Sequence, residues 1–228
     1  MGTKSSSLAS KAIAVYRKDI VSEFRTRYAV NAVALFAVTT LIAVSMSVGG
    51  FGVTDKNLLS ALLWVILFFS AMSGLSRVFV REEESRTASA LRLSADPIAI
   101  YIGKLAFNLT LLLALEIIVV PMFVVMMNAG VRNWTFFWLI LLFGSVGLSA
   151  AATIVAAIVS KANAKGALFA VLSFPILAPL LVTAISASSA AMGGGAFADC
   201  WRYLRVLVSY AGVMITASVL LFEFIWED

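Results

Sequence analysis

Six apolar runs, each long enough to cross a bilayer, dominate the sequence: 29–48, 58–80, 98–127, 134–160, 167–186 and 203–226. A spanning helix needs about 20 apolar residues. In hydrocarbon every backbone N–H and C=O has to be satisfied within the segment, which a helix achieves. The chain is 62% hydrophobic and only 13% charged, whereas a soluble domain carries about 25% charged residues. A mean hydropathy of +1.02 excludes a disordered chain. The expectation is one all-α transmembrane domain over residues 1–228, with six transmembrane helices.

The segments between the runs are short. Within 11–28, Ile13, Tyr16, Ile20 and Phe24 recur at helical spacing, while Arg17, Lys18, Ser22 and Arg25 fall mostly on other faces. This reads as a basic amphipathic helix lying in the headgroup layer, or as a solvated lead-in to the first span. The first run is too long for a signal-peptide core and follows a long charged stretch, so it is expected to be retained. Residues 81–97 are the most polar internal stretch. Val80, Glu84, Ala88 and Leu91 would share one face of a short surface helix ending near Ser94. Asp96 then caps the third span and Pro97 opens it. That span exceeds one bilayer thickness, so it must tilt, break or begin in the interface, with Pro121 the expected break. Residues 187–202 are small and glycine-rich, and Gly193–Gly195 suit a flexible turn or a re-entrant segment.

The formal net charge is +5. The basic residues flank apolar runs, which points to membrane lipid as the partner and not to nucleic acid. Of the 17 Lys and Arg residues, only Lys56, Arg132, Arg202 and Arg205 fall on one side of the predicted topology. The positive-inside rule then places both termini in the cytoplasm. Trp64, Trp134, Trp201 and Trp226 fall near predicted interfaces, as an aromatic belt would. There is no histidine and a single cysteine, Cys200. A Ser-His-Asp or Cys-His pair, an intramolecular disulfide and histidine ligation of haem iron by this chain are all excluded.

Several residues stand out. Gly103-Lys104 lacks the upstream glycine and the following Ser or Thr of a phosphate-binding loop, so any ATP is bound by another chain. Lys104 is expected to snorkel to the interface. Glu116 lies in an apolar run and needs a partner or a wet cavity. It sits about 27 Å from the start of its span at the helical rise, which suits either a structural role near the far interface or contact with cargo or another helix. Pro175 and Pro179 share a face of the fifth span, as a static kink or a flexible gate. The run Glu82-Glu83-Glu84 is either a solvated loop face or part of a protruding helix that transmits motion from a soluble partner.

Phe79-Val80-Arg81-Glu82-Glu83-Glu84, followed by Leu91-Arg92-Leu93-Ser94, Pro97 and Gly103-Lys104, resembles the aromatic–acidic–leucine–proline–lysine stretch of the haem exporter B (CcmB) family, ABC-exporter permeases of cytochrome c maturation. Phe174-Pro175-Ile176-Leu177-Ala178-Pro179-Leu180-Leu181 is similar to that family's proline-paired fifth span. Pro121 before a short turn and Trp134 fit as well, and with the hydropathy the resemblance covers nearly the whole chain. The family's usual Asp-Gly and second Glu are replaced here by Ser85-Arg86-Thr87-Ala88-Ser89-Ala90, and an extra residue separates Ser94 from Pro97.

The resemblance implies that 81–97 is a cytoplasmic coupling helix, with Glu82, Glu83, Glu84, Arg86, Thr87 and Leu91 contacting a partner ABC ATPase, the A subunit. It implies a bacterial inner-membrane complex containing a second copy of the permease, a haem-handling membrane protein and a periplasmic haem chaperone. This chain alone would bind no cofactor. ATP would sit on the ATPase, and haem would be the candidate cargo released at the outer side. Rival readings are an ABC permease for a lipid or polysaccharide and a non-transporting membrane scaffold. An intramembrane enzyme is disfavoured, because no paired intramembrane carboxylates exist for acid–base work.

Overall fold

The computed structural model describes residues 7–48, 55–75, 78–79, 82, 87, 91, 93, 95–160 and 165–227. Among them the regular elements are all helical: α1 (Leu8–Thr26), α2 (Tyr28–Val48), α3 (Lys56–Leu75), α4 (Pro97–Met126), α5 (Trp134–Ser160), α6 (Lys165–Gly193) and α7 (Phe197–Glu227). The last six each contain a stretch long and apolar enough to cross a membrane. The chain is a multi-pass membrane protein.

The middle of the bundle is α5. Of its most apolar stretch, 78% is buried inside the chain, against 22% for α2 and α7. Its Gly144, Ser145, Gly147, Ser149 and Ala150–Ala152 keep its surface low, so α4, α6 and α7 pack closely around it. Trp64 of α3 fills the niche that Gly144 leaves, where a Cβ would collide with its ring. Its indole N–H donates to Ser188 Oγ of α6 at 2.9 Å. The indole is therefore core, fully buried, and not part of an interfacial belt. Trp226 is buried as well, whereas Trp134 and Trp201 are exposed as a belt requires.

The outer helix α1 is capped by Ser7, whose hydroxyl accepts from Ser10 N–H at 3.3 Å. It ends at Arg27 in the left-handed region, φ 51°. Glu23 Oε1 then accepts from Val30 N–H at 3.0 Å, putting a carboxylate on the free amides at the start of α2. The face of α1 turned to the bundle carries Ala12, Val15, Asp19 and Glu23. Ile13 and Phe24 of the sequence-read apolar stripe point away from the protein, 58% and 73% exposed.

Two expectations are corrected by the packing. The helix α4 runs unbroken through Pro121. The proline ring projects outward, while Val119, Val120 and Phe123 anchor both flanks in the core. Residues 187–193 belong to α6 and are not a turn or a re-entrant piece. Ala187, Ser188, Ala191 and Met192 are buried against neighbouring helices, so small size here serves packing. The helix stops at Gly194, φ +74°, and the N–H of Gly195 reaches back to the carbonyl of Ala190 at 2.8 Å. This is a glycine-dependent six-to-one C-cap.

Candidate functional site: a buried charge cluster under the α3–α4 segment

The cluster starts from a glycine. At Gly103, α1 crosses α4 so closely that a Cβ would lie 2.8 Å from both the carbonyl oxygen of Ala12 and the Cβ of Val15. The next residue, Lys104, is thereby covered, and it is 1% exposed. It does not snorkel, because α1 closes over it. Its Nζ lies 2.9 Å from Asp19 Oδ2 on α1 and 2.8 Å from Glu82 Oε1. It also donates to the carbonyl of Val78 at 3.2 Å and stands 5.6 Å above the Phe79 ring. An ammonium has three donors; the Val78 carbonyl and Glu82 accept from it, and the Asp19 carboxylate faces it as an ion pair.

Lys18 adds a second cation. Its ammonium pairs with Glu82 Oε1 and lies 3.3 Å from Asp19 Oδ1. Two carboxylates and two ammoniums thus make a formally neutral group. Glu82 Oε2 accepts from the Thr87 hydroxyl at 2.6 Å. Burial raises the Glu82 carboxyl, but the charge and hydrogen bond of Lys104, with the bonds from Lys18 and Thr87, outweigh it and hold the group at about 2. The Phe79 ring packs at a tilt against Phe222 and Trp226 of α7, at 5.5 and 5.6 Å between ring centres. The segment between α3 and α4 is therefore fastened to α1, α4 and α7 together.

Leu91 N donates to Thr87 O (3.0 Å) and Ala95 N to Leu91 O (3.2 Å) on the way to α4. Asp96 occupies the N-cap position of α4 with Pro97 following, but its side chain makes no capping bond. It pairs instead with Lys11 of α1 at 2.8 Å, and that hydrogen bond and charge lower its pKa.

The sequence-picked residues of this segment separate by direction. Glu82 and Leu91 are buried, Thr87 is exposed, and Leu93 is 91% exposed. Glu83, Glu84 and Arg86 lie outside the described residues. Asp19, Lys18 and the inward role of Lys104 were missed by sequence reasoning. The available signal was Asp19 and Glu23, two acids four apart in a basic helix.

Glu116 is elsewhere, on the contact of α4 with α5, and accepts from the Ser145 hydroxyl. Nearer Lys104 on the same contact, Asn108 Nδ2 donates to Thr153 Oγ1 at 2.8 Å. Pro121, Pro175 and Pro179 face outward from unbroken helices. Between the last two, the carbonyl of Ile176 accepts from Tyr210 Oη of α7 at 2.6 Å. The prolines and Glu116 are not brought to the charge cluster.

A family model described as CcmB protein matches residues 10–225. Heme exporter protein B of Bradyrhizobium diazoefficiens is 27% identical over 186 residues, which cover 79% of this chain and 82% of that protein.

Proposed function

The chain belongs to the CcmB family, and from that premise we propose that it is the transmembrane permease subunit of an ATP-driven ABC complex in c-type cytochrome biogenesis. In this reading it couples ATP hydrolysis on a partner ATPase to transfer or release of haem at the periplasmic side of the bacterial inner membrane. The name of the Bradyrhizobium relative supports haem as cargo. The observation that carries the coupling is the fastening of the α3–α4 segment to three helices through Glu82, Lys104 and Phe79. A protrusion held this way passes on a push from a soluble engine, where a loose loop would absorb it.

The ATPase docks on the segment from the cytoplasm, where the positive-inside rule also puts both termini. Leu93 supplies an apolar knob, with Thr87, Glu83, Glu84 and Arg86 as polar contacts. Glu82 and Leu91 act from beneath by keeping the knob rigid. A second permease copy, a haem-handling membrane protein and a periplasmic haem chaperone complete the assembly. With no histidine in this chain, imidazole ligation of the haem iron falls to those partners.

The test is purification from membranes, identification of the chains that come along, and complementation of a deletion strain. An ATPase is expected to co-purify, and holocytochrome c is expected to return only when that ATPase hydrolyses ATP. Normal holocytochrome with a hydrolysis-dead ATPase would leave the scaffold reading in its place.

A further inference from the structure

We propose that Lys104 is a positioning residue for the transport stroke: by sharing its ammonium between Asp19 of α1 and Glu82 of the α3–α4 segment, it makes α1 move with that segment, so the surface helix is a working part and not an anchor. The proposal rests on the permease reading above and adds a moving part to it.

Stability alone does not call for a lysine here. Replacing a buried ion pair by apolar side chains of similar volume is often neutral or stabilising. The site already has Phe79 beneath the ammonium and Val15 against the preceding glycine to pack a methionine. What an apolar contact lacks is direction. It slides, whereas charge-assisted hydrogen bonds hold a fixed geometry. Lys104 makes such a bond to Glu82 at 2.8 Å, and it holds Asp19, on a segment far away in sequence, as a buried ion pair at 2.9 Å. The contact at Gly103 adds backbone-to-helix proximity on the same turn.

A cleft of about 410 Å3 separates α1 from the segment, lined by Lys11, Val15, Lys18, Leu91 and Ala95 among others. Among the described residues, the solvent-exposed Lys11–Asp96 pair bridges the two beyond it, and exposed pairs hold weakly. Among the described residues, the buried cluster is the firmer of these two connections between the segment and α1. Because α1 turns Ile13 and Phe24 outward, its displacement changes how deeply those side chains sit in the membrane surface.

The experiment uses the full complex in membranes, with Ile13→Cys carrying an environment-sensitive fluorophore. The test variant is Lys104→Met with Glu82→Gln, which removes one charge of each sign and leaves the Lys18–Asp19 pair. A second neutral variant, Lys18→Gln with Asp19→Asn, keeps Lys104 on Glu82 and removes the charges of α1 from the cluster. In the unaltered chain, ATP is expected to change the fluorescence. Chain level is expected to stay within twofold in both neutral variants, and ATPase co-purification and ATP hydrolysis within twofold in the second, which leaves the Lys104–Glu82 contact in place. The fluorescence response and holocytochrome yield are expected to fall at least tenfold. Full response and yield in either variant would overturn the proposal. So would loss of chain or of ATPase association in step with holocytochrome in both variants, since that is a structural role. An α1 signal unmoved by ATP in the unaltered chain, with ATP-dependent holocytochrome intact, would overturn it and leave the permease reading standing. Absence of any ATPase from the unaltered complex would remove both.

Discussion

Lys104 and Glu82 meet at 2.8 Å although one lies inside a membrane-spanning helix and the other in the polar segment before it. A lone buried ammonium would be expelled from such a place or would lose its proton. It stays because Asp19 and the carbonyl of Val78 complete its shell. Removing only one member leaves an uncompensated charge. Lys104→Met alone is therefore expected to destabilise the chain by about 3–5 kcal/mol, and Lys104→Met with Glu82→Gln by much less. Thermal unfolding in detergent distinguishes the two.

The same cluster sets an acid limit. The Glu82 carboxyl titrates at about 2 in the fold against an ordinary 4.5. A depressed carboxyl contributes its stabilisation in full above the unfolded value and loses it as the pH falls through the folded one. The melting temperature should drop between pH about 4.5 and about 2, and Glu82→Gln should flatten that part of the profile.

At the helix crossing, Gly103→Ala places a methyl against Ala12 and Val15 with no room for it. The expected cost is about 1–3 kcal/mol, the usual range for an overpacked site. The expected sign of displacement is faster cysteine labelling at position 15, which is buried in the native chain.

On the opposite side of the segment, Leu93→Asp changes a side chain that touches little of its own protein. Stability should move by no more than about 0.5 kcal/mol. Association with the ATPase should fall at least tenfold in a pull-down. Undiminished association would remove Leu93 from the docking surface.

Glu116 is expected to behave as a helix–helix contact. Glu116→Gln keeps an acceptor for the Ser145 hydroxyl and should leave both melting temperature and holocytochrome yield near the unaltered values. Glu116→Leu strands that hydroxyl, at a cost of about 1–3 kcal/mol. A normal melting temperature with lost holocytochrome in Glu116→Gln would assign the carboxylate to cargo.

The number and placement of spanning helices were readable from residue order, because a bilayer imposes a length and an internally bonded backbone on any segment that crosses it. Local chemistry was readable too: Pro97 opens α4, and the glycines at 193–195 include the residue that stops α6. What could not be read was the partner of each polar or aromatic side chain. Lys104 is equally suited to snorkelling until α1 folds over it, and Trp64 to an interfacial belt until Gly144 and Ser188 receive its ring. Residues 187–193 are helical because their small side chains fit against neighbouring helices, which composition alone reads as a loop. In each case the deciding neighbour lies tens of residues away. Burial turns such a contact from optional into obligatory, since a polar group or a ring removed from water has to find its match inside the protein.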